Sequence, residues 1–213
     1  ALPIGPCYVA ASVEKAGYNV SIVDAVGEAM FQVFGSDCGR YNTQGLSVSQ
    51  IVERIPADAA VIGISMMFSV EWIHNREVAE GLRDAFPDAT IIVGGEHATA
   101  VPELVLRTCP AIDFVVTGEG DLAFLDLVHG IFTGIATDDV PGVHFIDPEG
   151  GYHTGGLSPR IMNVDEMPRP AWNLIDVEHY FIDNWTYGIA TGRNMVIMAT
   201  RSCPYQCTFC SNP

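Results

Sequence analysis

Short apolar runs alternate with amphipathic stretches over the first 130 or so residues. VSIVD (20–24), AVIGIS (60–65), TIIVGG (90–95) and DFVVTG (113–118) are rich in β-branched side chains. Their apolar character is continuous rather than alternating, which predicts strands covered on both faces. Helical patterns lie between them: PCYVAASVEKAG (6–17), SVSQIVERI (47–55), SVEWIHNREVAEGLRDAF (69–86), PELVLRTC (102–109) and DLAFLDLVHGI (121–131). In the third, Val70, Ile73, Val78, Leu82 and Phe86 keep near-helical spacing and are expected to face a core. Gly17 and Gly130 stand where helix-ending glycines are expected. Strand and helix in alternation predict right-handed crossovers and an open parallel sheet, an α/β fold of Rossmann-like (flavodoxin-like) type.

The pattern breaks in four places. The chain opens on a helix, so the first strand of such a fold is expected upstream of Ala1. Residues 35–46 (GSDCGRYNTQGL) are polar and glycine-rich and predict a loop. GVHFIDPEGGYHTG (142–155) predicts a hairpin that closes the domain. GLSPRIMNVDEMPRPAWNLIDVEHY (156–180) has little periodicity and three prolines. A final apolar run, MVIMAT (195–200), predicts a strand leading into RSCPYQCTFC. The expected division is a domain over 1–155, a linker over 156–190, and over 191–213 the start of a second domain.

Composition narrows the function. Of 213 residues 48% are apolar and 17% charged, enough for a substantial core. The net charge of −16, with no Lys/Arg cluster to neutralise phosphates, argues against a nucleic-acid partner. No apolar run reaches the roughly 18 residues of a bilayer span, and no basic segment precedes an apolar one at the start, so no membrane partner or leader is expected. Cys7, Cys38 and Cys109 are scattered and are expected to be ordinary buried or free thiols. A reducing, cytoplasmic compartment fits that usage.

Candidate chemistry sits in loops. In open α/β sheets ligands bind beyond the carboxyl ends of the strands. Ser65-Met66-Met67, Gly94-Gly95-Glu96-His97-Ala98-Thr99 and Gly118-Glu119-Gly120 each follow a predicted strand there. Taken singly, a Gly-Gly pair is a turn and a lone His a hydrogen-bonded core residue; three such loops on one edge point to a binding crevice. The second cluster is Cys203-x3-Cys207-x2-Cys210. Three thiolates are one short of a closed structural zinc site. They would hold a [4Fe–4S] cluster with one iron left open. Spacing alone leaves both readings standing.

Together these motifs resemble the cobalamin-binding domain that precedes the barrel in many radical S-adenosylmethionine enzymes. Ser65-Met66-Met67 is followed, after 26 residues, by Gly94-Gly95; GGEHAT (94–99), VVTGEGD (115–121) and ATRSCPYQCTFCSNP (199–213) complete the likeness. The resemblance implies that Ser65 and Met67 line the pocket of cobalamin's nucleotide tail and that the Gly94-Gly95 turn lies against it. His97, Thr99, Gly118, Glu119 and Gly120 would be nearby contacts. It further implies that Cys203, Cys207 and Cys210 bind a [4Fe–4S] cluster, with Phe209 near the adenine of S-adenosylmethionine. The open iron would hold the cosubstrate, whose reductive cleavage yields a 5′-deoxyadenosyl radical. Family members with a cobalt-ligating histidine carry it where this chain has Leu2, which departs from that pattern.

By the same resemblance the full enzyme would methylate an unactivated carbon or phosphorus of a small molecule, drawing electrons from a flavodoxin or ferredoxin. Oxidative cyclisation of a tetrapyrrole is the variant. A tRNA methylthiotransferase would need three further cluster cysteines and a basic RNA surface. A non-catalytic metal- or cofactor-binding module is the remaining alternative. The rest of a barrel is expected after Pro213, so these residues alone are expected to be inactive.

Overall fold

The structure, a computed structural model, describes residues 2–36, 39–184, 192–201, 205, 207 and 208. Its main sheet has five strands, arranged in chain order. β3 (Val61–Ser65), β4 (Thr90–Gly94) and β5 (Phe114–Val116) run parallel, while β6 (Val143–Ile146) and β7 (Tyr152–Thr154) continue antiparallel from β5. The predicted 142–155 hairpin is thus the far edge of the same sheet. A separate small hairpin joins β1 (Val33–Gly35) to β2 (Asn42–Gln44).

Six helices flank the strands among the described residues: α1 (Ile4–Lys15), α2 (Val48–Arg54), α3 (Trp72–Ala85), α4 (Glu96–Ala100), α5 (Pro102–Thr108) and α6 (Gly120–Thr133). Ser47 and Gln50 form a reciprocal capping box at the start of α2, and Pro102 opens α5, where its missing N–H costs nothing. Successive residues of a strand face opposite sides, and both sides are dry. Ile91, Val93 and Val115 pack with Val78, Leu82, Val105 and Leu106 on one face. Ile92 and Val116 pack with Ala123, Leu127 and Val128 of α6 on the other. This is why the strands read as unbroken apolar runs. The result is the expected Rossmann-like three-layer arrangement. No helix among the described residues is long and apolar enough to cross a membrane.

Several expectations are corrected. Residues 20–24 and 195–200 join no sheet among the described residues. A strand needs a partner for its N–H and C=O groups, and neither run is paired in a ladder among the described residues. Val20 and Ile22 pack instead on Ala10, Ala11 and Ala171, whereas Ile197 is exposed. The 35–46 loop contributes β2 and the end of β1. Val70 is exposed because it lies in a 3-10 turn over Ser69–Glu71 that precedes α3, and Ile73 because it sits within α3 on the side away from its buried residues Val78, Ala79 and Leu82. Helix α6 runs past Gly130 and is capped by left-handed Gly134 (φ 72°).

The 156–180 segment is bound along the domain. Ala171 is buried against Ala10 and Ala11, and its N–H donates to Cys7 O at 3.0 Å. Tyr180, only 1% exposed, packs with Leu2 and Met30 and donates its hydroxyl to Asp24.

Candidate cofactor site at the carboxyl ends of the strands

The loops after β3 and β4 are locked together through backbone groups. Met66 N donates to Gly94 O at 2.7 Å, and His97 N donates to Met66 O at 3.2 Å. Gly95 takes φ 107°, a conformation that L side chains rarely adopt; a Cβ there would lie 2.5 Å from Met66 O. The glycine pair is therefore required by the approach of the neighbouring loop. Met66 is fully buried beneath this junction. Its neighbours Ser65 and Met67 point outward and are exposed, continuous with exposed Phe68 and Val70.

His97 sits just inside. It is 6% exposed, its Nδ1 lies 2.9 Å from Ser69 Oγ, and its ring is 5.3 Å from that of Trp72. Burial lowers its pKa, holding the imidazole neutral at pH 7. Its Nε2 is buried and without a hydrogen-bond partner among the described residues. Buried polar atoms are rarely left so, which singles out this nitrogen within the loop cluster.

The third loop has other neighbours. Thr99 Oγ1 accepts from Gly118 N at 3.0 Å, tying the second loop to the third. Glu119 Oε2 accepts from Ile161 N at 2.8 Å, and Ser158 Oγ donates to Glu119 O at 3.4 Å. Ser158 is seated so closely that a Cβ on Gly142 would come within 2.7 Å of its own Cβ. Gly118 is exposed and Gly120 half-buried at the start of α6. Around Glu119 this turn thus carries the 156–180 segment.

One residue further on, Asp121 is 3% exposed and pairs with Arg201, Nη1 to Oδ2 at 2.5 Å and Nη2 to Oδ1 at 3.1 Å. The guanidinium carbon lies 5.1 Å from the centre of the Tyr8 ring. Cys207 is exposed and free. Cys203, Cys210 and Phe209 lie outside the described residues, as does Cys38. Leu2 is an aliphatic side chain packed on Met30 and Tyr180.

Sequence reasoning singled out neither exposed Phe68 at the loop edge nor the buried contacts of Tyr180, Asp121 and Arg201. Asp121 and Arg201 were visible within VVTGEGD and ATRSC, but no local pattern joins residues 80 positions apart.

These features define an α/β domain whose candidate site is the loop edge beyond its parallel strands. The chain belongs to the B12-binding domain family, whose model matches residues 1–128. It is 30% identical over 99% of its length to the uncharacterized methyltransferase PH0819 of Pyrococcus horikoshii, spanning 40% of that protein. Cytidylyl-2-hydroxyethylphosphonate methyltransferase of Streptomyces wedmorensis is 29% identical over 98% of the chain, which spans 43% of it. The anaerobic magnesium-protoporphyrin IX monomethyl ester cyclase of Rubrivivax gelatinosus is 27% identical over 98%, with 34% of that protein spanned. The chain thus spans less than half the length of each of these relatives. Among solved structures, the cobalamin-dependent S-adenosylmethionine radical enzyme OxsB superposes with a TM-score of 0.63 at 16% identity, over 81% of this chain and 22% of that one. The radical S-adenosylmethionine methyltransferase TsrM of Kitasatospora setae gives 0.58 at 17% identity, over 84% and 34%. Both show the fold.

Proposed function

We propose that this chain is the N-terminal part of a cobalamin-dependent radical S-adenosylmethionine enzyme that transfers a methyl group to an unactivated carbon or phosphorus of a small molecule. The observation that carries this reading is the presence, in one chain, of a B12-binding domain over residues 1–128 and a Cys203-x3-Cys207-x2-Cys210 loop. The two relatives named as methyltransferases, more similar than the cyclase, favour methylation over ring closure.

The residues present fit cobalamin. The loop edge carries exposed Ser65 and Met67 above a buried loop junction and an apolar rim of Phe68 and Val70 suited to a large, partly apolar ligand, with the unpartnered His97 Nε2 buried inside it. Ser65 and Met67 would contact the nucleotide tail, with the Gly94-Gly95 turn giving backbone access. Thr99 would act through the Gly118 turn it holds. Leu2 brings no imidazole, so that side chain would supply no ligand to the cofactor's metal. Cys203, Cys207 and Cys210 would hold a [4Fe–4S] cluster as thiolates, with Phe209 against the adenine. When bound, the cluster supplies the electron that cleaves S-adenosylmethionine, and cobalamin supplies the methyl carrier. The chain's own part is to bind, orient and shield these groups.

The test is anaerobic reconstitution of the full-length protein with iron, sulfide and hydroxocobalamin. Cluster absorbance and one bound corrinoid per chain are expected, with Cys207→Ala abolishing the first and sparing the second. Absence of both from the native protein would end this reading.

A further inference from the structure

The Arg201–Asp121 pair is the most deeply buried ion pair among the described residues, with side chains 13% and 5% exposed. It joins the chain two residues before Cys203 to the first turn of α6. We propose that Asp121, Arg201 and Tyr8 form a positioning latch that fixes the entry of the cysteine loop on the B12-binding domain. This deepens the reading above, in which that loop carries the cluster.

Four features make the contact a specifying one. The two terminal guanidinium nitrogens each donate to one carboxylate oxygen, a geometry that sets direction as well as proximity. The Tyr8 ring lies near the guanidinium, so α1 and α6, which pack on each other, both hold it. Asp121 lies in the first turn of α6, where the helix dipole favours a negative charge. Lastly, the adjoining Glu119 accepts from Ile161 N, so one turn anchors two points of the later chain. Val196 packs with Leu2, Met30 and Tyr180 and Arg193 pairs with Glu178, but between them and Arg201 the residues Ile197, Met198, Ala199 and Thr200 are all exposed. A desolvated charge pair contributes less to stability than to selecting one arrangement. Here the arrangement selected is the place where the cysteine loop begins, relative to the crevice after β3 and β4.

The test uses the full-length protein in two states. In cofactor-free protein, hydrogen–deuterium exchange of residues 198–208 is compared among the native form, Asp121→Asn, Arg201→Met and the double variant, with β3–β5 and α6 as internal control. Exchange in 198–208 is expected to rise at least tenfold in either single variant and no further in the double, while the control stays unchanged. Unchanged exchange in 198–208, or a rise shared equally by the control, would overturn the latch. In the reconstituted protein, the electron-spin relaxation of cob(II)alamin by the reduced cluster is the second readout. Asp121→Asn is expected to weaken that coupling at unchanged iron and corrinoid content, and Asp121→Glu to restore part of it; equal coupling in all three overturns the positioning role. If native protein binds no cluster or corrinoid, the functional reading fails by itself and the exchange data still decide the latch.

Discussion

Replacing Tyr180 by Phe removes one oxygen from the contact that holds the 156–180 segment to the domain. The hydroxyl lies 2.9 and 2.8 Å from the two oxygens of Asp24, whose only other described donor is Gly27 N at 3.0 Å. Both residues are buried, and the ring's packing on Leu2 and Met30 survives in the variant. The cost is therefore that of a hydrogen bond to a buried charged group, about 1.5–3 kcal/mol. At roughly 2–4 °C per kcal/mol for a chain of this size, the midpoint of thermal unfolding should fall by about 3–12 °C. Circular dichroism at pH 7.5 measures this directly. A double-mutant cycle with Asp24→Asn should be strongly non-additive, since both changes break one contact.

The contact also has a pH signature. Burial, and next the Asp24 carboxylate, raise the Tyr180 hydroxyl above its ordinary value near 10. Folding thus favours the neutral phenol, so its contribution is complete below about pH 10 and is lost as the pH rises beyond it. The stability gap between native protein and Tyr180→Phe should persist through neutral pH and narrow only in strong alkali. A fall of less than about 2 °C, or additive losses in the cycle, would refute the reasoning.

Two further perturbations probe the crevice and the thiols. Gly95→Ala places a methyl 2.5 Å from Met66 O in a backbone region hostile to L residues; it should lower stability by about 1–3 kcal/mol or more and weaken hydroxocobalamin binding at least tenfold in an absorbance titration, with Gly94→Ala milder because its Cβ would lie 3.3 Å from Val116 O. In cluster-free native protein, iodoacetamide at pH 8 should label exposed Cys207 and leave Cys7 and Cys109 unlabelled until the chain is unfolded, as peptide mass mapping would show. Both of the latter are fully buried, and burial, then Asp24, pushes the Cys7 thiol up to about 11.

The parallel strands were legible because burial on both faces writes itself as an uninterrupted apolar run. β3, β4 and β5 fall within the predicted 60–65, 90–95 and 113–118 segments. The same signal over 20–24 names an apolar extended segment without naming a hydrogen-bonding partner, so it could not say that no ladder would form. Helix α4 was missed because five residues, opened by a glycine pair, are too few to show a period. Within the site, glycines were readable as a turn, but the reason for Gly95, the backbone of Met66 passing beneath it, is a tertiary fact. Likewise Asp24–Tyr180 and Asp121–Arg201 join residues 156 and 80 positions apart. No spacing rule reaches across such separations.

The docking of residues 156–184 changes where the domain can be cut and exchanged. Judged by composition, a recombination junction belongs near residue 155, where periodicity ends. A chimera spliced there would strip Ala10 and Ala11 of Ala171 and leave the buried Asp24 carboxylate facing a foreign segment. The heritable module is longer than the fold that names it: a transplantable unit carries its own strap, through Asn184, into the new host.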